Sequence, residues 1–261
     1  MKPTLKYAAI GLAVCAGLVS LTAEPSKSPT QKTPASNAAT DPFKAPPNIR
    51  VQLEYIEMPL LTMAELMDDE KAAASDVALR ARVAELIKNG KAKLIDIQML
   101  TTPDGTKASS ESIREFIYPT EYEPSELPNE IHLLGNGKKA TIPSHEYATG
   151  PTPTAFETRN LGTSFECEAT IDPATPYIHV RFAPETVSFV EYITYADWKG
   201  QHGRADIVMP IIYSMKVTGS LYVADSKPVL VSSLSPKNEK GVTDLSRKLL
   251  VFLKADILPV K

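Results

Sequence analysis

The stretch LGTSFECEATIDPATPYIHVRF, residues 161–182, decides how the chain is read. Phe165, Cys167, Ala169 and Ile171 alternate with Ser164, Glu166, Glu168 and Thr170. After Asp172–Thr175 the alternation resumes, with Ile178, Val180 and Phe182 on one side and Tyr177, His179 and Arg181 on the other. A period of two puts successive side chains on opposite faces of a strand, so each run has one apolar face to bury. Two such runs joined by a short turn predict an antiparallel pair. Cys167 lies in the apolar row and reads as a small core residue rather than a nucleophile.

Toward the C-terminus the same period continues. Ile211, Tyr213, Met215, Val217, Leu221 and Val223 mark every second position of a long strand, interrupted by Gly219. Asp225–Lys227 turns the chain and Pro228–Leu234 is expected to pair back. RKLLVFLKADIL, residues 247–258, reads as the closing strand. The polar stretch Tyr195–Asp206, which holds the single tryptophan, Trp198, is expected to be a loop.

Toward the N-terminus, Pro119–Pro153 interrupts the strands with six prolines and several glutamates and reads as a long loop or insertion, 119–153. Before it, Ala92–Thr101 and Thr106–Tyr118 flank Thr102-Pro103-Asp104-Gly105. Proline and glycine there supply the chemistry of a tight turn, which predicts a hairpin over 92–118. Residues 62–89 read as helical. Leu79, Val83, Leu86 and Ile87 share one face, and Asn89-Gly90 supplies a stop. Val51, Leu53 and Tyr55 alternate with Gln52 and Glu54 in a first strand, Ile49–Met58. The expected fold class is α+β: mostly antiparallel β hairpins, seven or eight strands, with one helical segment (about 62–89) packed on the sheet.

The first residues read differently. Lys2 and Lys6 precede an apolar run from Tyr7 to Val19, followed by Leu21-Thr22-Ala23. That is the pattern of a secretory signal peptide, 1–23, with cleavage expected after Ala23. An uncleaved anchor is the alternative; acylation at Cys15 is disfavoured by the bulky Val14 before it. Residues 24–47 carry six prolines among Ser, Thr, Lys and Ala, which predicts a disordered tether ahead of a domain spanning 48–261. Beyond the signal only Cys167 remains, so no intramolecular disulfide forms in the mature chain. The net charge of −3 becomes more negative once Lys2 and Lys6 are removed, which argues against nucleic acid as a partner.

The search for chemistry finds no catalytic, cofactor-binding or metal site. His132, His145, His179 and His202 form no HExxH pair, and His145-Glu146 lies in the proline-rich interruption. Gly162-Thr163-Ser164 lacks the closing glycine of a nucleophile elbow. Gly135-Asn136-Gly137-Lys138 lacks phosphate-loop spacing. Glu121, Glu123, Glu126 and Glu130 read as a solvated acidic loop rather than a cation site. No enzymatic activity, cofactor or small-molecule substrate is therefore expected.

Four stretches resemble the C-terminal domain of the bacterial secretins of type II and type III secretion and of type IV pili. Leu100–Ala108 resembles the family's glycine-containing hairpin, followed by Tyr118-Pro119 near its Pro/Tyr position. Leu161–Ile171 resembles its VGVxLxVxPxI strand. Met215–Leu234, with Asp225-Ser226 at the turn, resembles its DG hairpin. Arg247–Leu258 resembles its closing strand; beyond these four, Val51–Met58 also resembles the strand that opens the family domain. There are departures. Ser235–Gly241 stands where the family carries a PLLGDIP-like segment, Ser232-Ser233 where it carries Gly-Gly, and the tether where it carries small ring-building domains. The resemblance implies an exported envelope protein of the periplasm or outer membrane that takes part in protein secretion or pilus passage. It implies self-association or joining of secretin-complex proteins, with outer-membrane contact, through exposed strand edges that pair with neighbours. The alternative is a soluble periplasmic scaffold or binding module without a pore. In that case Ile211–Val223 would pack one face on the helix of residues 76–89.

Overall fold

A computed structural model describes residues 46–126, 148–200 and 203–258. The expected signal peptide and nearly all of the tether lie outside these residues.

Strand β1 spans Asn48–Pro59, β2 spans Lys93–Pro103, β11 spans Val229–Leu234 and β12 spans Arg247–Leu258. They form one antiparallel sheet, sheet A, in the order β11-β12-β1-β2. β12 is central, and Leu249, Leu250, Val251, Phe252 and Leu253 are all buried. A strand covered on both faces needs a continuous apolar run, and Leu249–Leu253 is one. In β1 the buried side changes along the strand. Ile49, Val51, Leu53 and Tyr55 face one layer, and Ile56 and Met58 face the opposite one.

The layer over Ile56, Met58, Leu250 and Phe252 is helical. The expected single helical segment is three: α1 (Leu60–Asp68), α2 (Glu70–Ala73) and α3 (Asp76–Lys88). The breaks fall where side chains compete for backbone N–H groups. Asp69 accepts from the N–H of Lys71 and Ala72, and Ser75 accepts from Ala78 N–H, so each starts a new helix. Leu66, Ala72, Leu79, Val83 and Leu86 face the sheet. Arg80 pairs with Glu54 at 2.6 Å and ties α3 to β1. The stop falls where expected: Gly90 has φ 71°, and Lys91 N–H donates to the Leu86 carbonyl.

The second sheet, sheet B, holds β3 (Lys107–Glu123), β4 (Thr152–Ile171), β5 (Tyr177–Phe182), β6 (Glu185–Ala196), β9 (Ile207–Lys216) and β10 (Gly219–Ala224). Two-residue strands β7 (Lys199–Gly200) and β8 (Gly203–Arg204) cap one hairpin. β5 and β6 are two halves of one path along β4. Phe182 lies opposite Cys167 and Glu185 opposite Ser164, so the register continues across Ala183-Pro184. β9 and β10 continue each other in the same way, with Lys216 opposite Glu185 and Gly219 opposite Phe182. Sheet B is therefore four long antiparallel paths: β3, β4, β5–β6 and β9–β10. The long strand expected through Gly219 is present, with a break at Val217-Thr218. β6 is a strand where none was expected; among the described residues of the Tyr195–Asp206 stretch, only Asp197-Trp198 and Ala205-Asp206 are loop.

Only the root of sheet B is packed. Phe165, Cys167, Ala169, Ile178, Val180, Phe182 and Val223 meet Val51, Leu53, Val251 and Leu253 of sheet A. Farther out, among the described residues, only the 235–246 segment lies on the strands, at Phe189, Val190 and Tyr213. No residue of β3, of β4 before Phe165, of β6 after Val187 or of β9 is buried. The β3–β4 ladder runs to Glu123 and Thr152, so the expected interruption 119–153 begins later than its prolines suggest; Pro119 and Pro153 are strand residues. β6 pairs with β4 only from Glu185 to Val187, and beyond that the two hairpins separate. The sheet then curls, bringing Phe116 of β3 within 5.6 Å of Phe189 and 6.1 Å of Tyr192 of β6.

The molecule is thus mostly antiparallel β with a short helical layer on one face, and the α+β expectation holds in that coarse form.

Candidate functional site

Two expected hairpins are corners instead. β2 and β3 are joined by the Pro103-Asp104-Gly105 turn, yet β2 pairs with β1 in sheet A and β3 with β4 in sheet B. β10 and β11 are joined by Asp225–Pro228, yet β10 pairs with β5 in sheet B and β11 with β12 in sheet A. Tight-turn chemistry reverses the chain; it does not choose the partner.

The two corners use the same chemistry. At the first, Gly105 has φ 71° and donates its N–H to the Ala169 carbonyl, while Asp104 Oδ1 accepts from Ile171 N–H at 2.8 Å. At the second, Ser226 has φ 60° and donates its N–H to the Ala255 carbonyl, while Asp225 Oδ1 accepts from Ile257 N–H at 2.9 Å. In each case an aspartate followed by a residue with positive φ holds the end of the strand that the chain is about to pair with. A carboxylate on a backbone N–H is a charge-assisted bond, stronger than a neutral one.

The corners decide where the free edges lie. In sheet A the edges are β2 and β11; in sheet B they are β3 and the β9–β10 path. The first corner places the β2 and β3 edges on one flank. The second places those of β10 and β11 on the other. Each sheet has an even number of antiparallel paths, so its two edges run in opposite directions. The β2 edge carries Leu94, Ile95, Ile97 and Met99, all exposed, with Met99 at 53%. The outer hairpins expose Ile113, Ile117, Phe156, Tyr192, Ile193, Tyr195, Met209 and Ile211. Native sheets ordinarily protect an exposed edge with charge, proline or a cover.

The polar side of sheet B is laced by ion pairs between neighbouring paths: Lys107–Glu166 at 2.7 Å, Arg159–Glu185 at 3.1 Å, Arg181–Glu168 at 3.7 Å and Lys216–Glu185 at 3.8 Å. A cavity of about 400 Å³ lies beside Arg159, Asn160 and Glu185. At the tip, a Cβ on Gly200 would stand 2.2 Å from the Trp198 ring, and one on Gly150 would stand 2.3 Å from Ala205 Cβ and 3.2 Å from the same ring.

Those residues weighed for chemistry that are described stand apart from one another. Cys167 is buried, and burial pushes its thiol up to about 11. Gly162-Thr163-Ser164 is ladder rather than elbow, paired with Ile113, Ser112 and Glu111. His179 stacks on Tyr222 at 4.9 Å, on the side of β5 away from the core. Glu121 and Glu123 belong to β3 and Glu126 follows it. His132, His145-Glu146, His202, Glu130 and Gly135–Lys138 lie outside the described residues. Among the described residues, no three His, Cys, Asp or Glu side chains gather as a metal site, and no helix is long and apolar enough to cross a membrane.

No protein-family model matches the chain, and no curated protein matches it. Solved structures do, and secretins are among them. The type II secretion system secretin GspD of E. coli K12 is similar over 82% of this chain and 50% of its own, at 10% identity and a TM-score of 0.36. The type II secretin GspD of enteropathogenic Escherichia coli is similar over 82% and 70%, at 10% identity and 0.41. The InvG secretin β-barrel domain of the Salmonella SPI-1 injectisome is similar over 84% and 64%, at 9% identity and 0.38. This chain spans half the length of the first of them.

Proposed function

We propose that this chain is a secretin-like cell-envelope protein that assembles head to tail with copies of itself, or with a secretin-type complex, to build a wall for protein secretion or pilus passage. The observation that carries the reading is the pairing of free edges. β2 and β3 open on one flank, β11 and β9–β10 on the other, and the strand directions suit antiparallel pairing of each edge with its counterpart on the next copy. A rotation that closes such heterologous contacts makes a ring with no edges left. The outer hairpins, unburied on both faces, would then be wall rather than core.

The reading includes export through residues 1–23, a tether over 24–47, and a destination at or near the outer membrane. It assigns no enzymatic role. The scaffold alternative required Ile211–Val223 to pack on α3. Instead β9 is packed on no helix, and Val223 of β10 lies in the core against sheet A.

Cross-linking and native mass measurement on membrane extracts of the full chain test the proposal. The expected result is a closed oligomer that resists carbonate extraction. Ile97→Lys with Met99→Lys, which places charge on the exposed β2 edge, should shift it to monomer while leaving the thermal midpoint within a few degrees. A wild-type chain that is monomeric in membranes and released with soluble proteins refutes the wall and favours the scaffold.

A further inference from the structure

The segment that joins β11 to β12, residues 235–246, is more ordered than a plain connection. Lys237 and Thr243 form a bridge across it. Asn238 Oδ1 accepts from the N–H groups of Lys240 and Val242, Gly241 N–H donates to the Asn238 carbonyl, and Gly241 turns the chain with φ 74°. Its far end is pinned to sheet A. Arg247 donates to Glu57 at 2.6 Å, to Asp244 at 2.7 Å and to the Lys237 carbonyl at 2.9 Å. Lys248 Nζ holds Ser235 Oγ at 2.8 Å, and Leu60 N–H donates to the Ser246 carbonyl.

This braced loop grips the β6–β9 hairpin at an irregularity. The β6–β9 register slips between Phe189 and Glu191, which leaves Val190 as the extra residue of a bulge. Lys237 Nζ donates to the Phe189 carbonyl at 3.3 Å. Val190 lies against Gly241 so closely that a Cβ there would be 2.0 Å from Val190 Cγ1. On the facing strand, Tyr213 donates its hydroxyl to the Ser235 carbonyl at 2.7 Å. The grip comes just beyond Val187, where the hairpin leaves its pairing with β4.

We propose that residues 235–246 form a latch that sets the inclination of the β6–β9 hairpin against sheet A. Arg247, Glu57 and Asp244 make its base rigid; Lys237, Gly241 and the Ser235 carbonyl are its jaws; the Val190 bulge is what the jaws hold. With the latch closed, the hairpin moves with sheet A. The jaws contribute two hydrogen bonds and one apolar contact, so they release at a far smaller cost than the core. Release frees the hairpin to pivot beyond Val187, where its pairing with β4 ends. The device lies within one chain and does not depend on assembly.

Hydrogen exchange on the full chain tests it. Tyr213→Phe with Lys237→Met removes both jaw hydrogen bonds and keeps the ring and most of the aliphatic stem. The expected result is exchange roughly tenfold faster for amides of residues 188–194 and 208–213, with β1 and β12 unchanged. Val190→Ala, which empties the contact at Gly241, should loosen the same amides. Unchanged exchange in the hairpin for both variants overturns the latch. So does an equal rise in β1 and β12, which would make the loop an ordinary contributor to global stability.

Discussion

Gly162 occupies β4 with φ 131°, and a Cβ there would stand 2.2 Å from the Ser112 carbonyl oxygen of β3. Both the backbone angle and the close strand exclude a side chain. Gly162→Ala should therefore destabilise the fold by about 2–4 kcal/mol, read as a lower urea midpoint at an unchanged slope. Asp244 is a second single-residue case. Hydrogen bonds from Ser246 and Arg247 hold its carboxyl down at about 2. A carboxyl lowered on folding contributes above its unfolded value, near 4, and that contribution disappears as the pH falls toward 2. Acid titration by NMR should find the Asp244 midpoint near 2, with the 235–246 loop loosening over that window; neutral pH should leave it intact. Cys167 should stay unlabelled by thiol reagents in the folded protein, since its thiol is buried and pushed up to about 11.

The corners act at the scale of elements. Each aspartate satisfies a backbone N–H at the end of a strand, Ile171 for Asp104 and Ile257 for Asp225. Alanine at either position should cost about 1–2 kcal/mol, and the two losses should add, because the corners belong to different ladders. The measurement is denaturant unfolding of both single variants and the double. β12 shows why sheet A forms at all. Leu249, Val251 and Leu253 fill the core against sheet B, and Leu250 and Phe252 fill the one under the helices. Phe252→Ala should cost about 3–5 kcal/mol, a sum of lost burial and residual cavity. Polar anchoring on this strand reaches neighbouring elements. Asp256 is buried, which pulls its carboxyl up, but bonds from Lys254, Arg50 and Ser226 outweigh burial and hold it below its ordinary value.

At the scale of the whole molecule, stability is unevenly distributed. Both cores lie in sheet A, the helices and the root of sheet B, while the outer hairpins have ladders, surface ion pairs and the contacts of Phe116, Phe189 and Val190, but no buried side chain beyond Phe165 and Val187. Segments without buried apolar contacts open at lower free energy than the core. Trp198, the single tryptophan, sits at the tip where the 148–150 segment meets the end of the β6–β9 hairpin. Its fluorescence in the unassembled chain should therefore change at lower denaturant than the circular dichroism of the sheets. Coincident transitions would mean that the tip is coupled to the core. Trp198→Ala should leave the main transition in place and speed exchange at the two tips.

The sequence by itself determined most of the strands and, for those, their inward faces. Alternation at 164–171 and 177–182 predicts a side chain's direction because the period of a strand is a local property of the backbone. It also marked Cys167 as core and Asn89-Gly90 as a helix stop, since burial pattern and capping are readable within a few residues. Other features were decided only by tertiary structure. Thr102–Gly105 and Asp225–Lys227 carry the same turn chemistry whether the chain pairs back on itself or passes to the facing sheet. Pairing depends on which strand end the aspartate meets, and those ends lie far away in sequence: Ile171 for the first turn, Ile257 for the second. Pro119 and Pro153 read as loop from composition, yet they sit in a ladder at its uncovered outer part. β6 was missed because its outer half is exposed on both faces and so shows no apolar-polar alternation. The free edges on the two flanks follow from the corners, so the surface on which the proposed assembly depends exists only once the two sheets have packed.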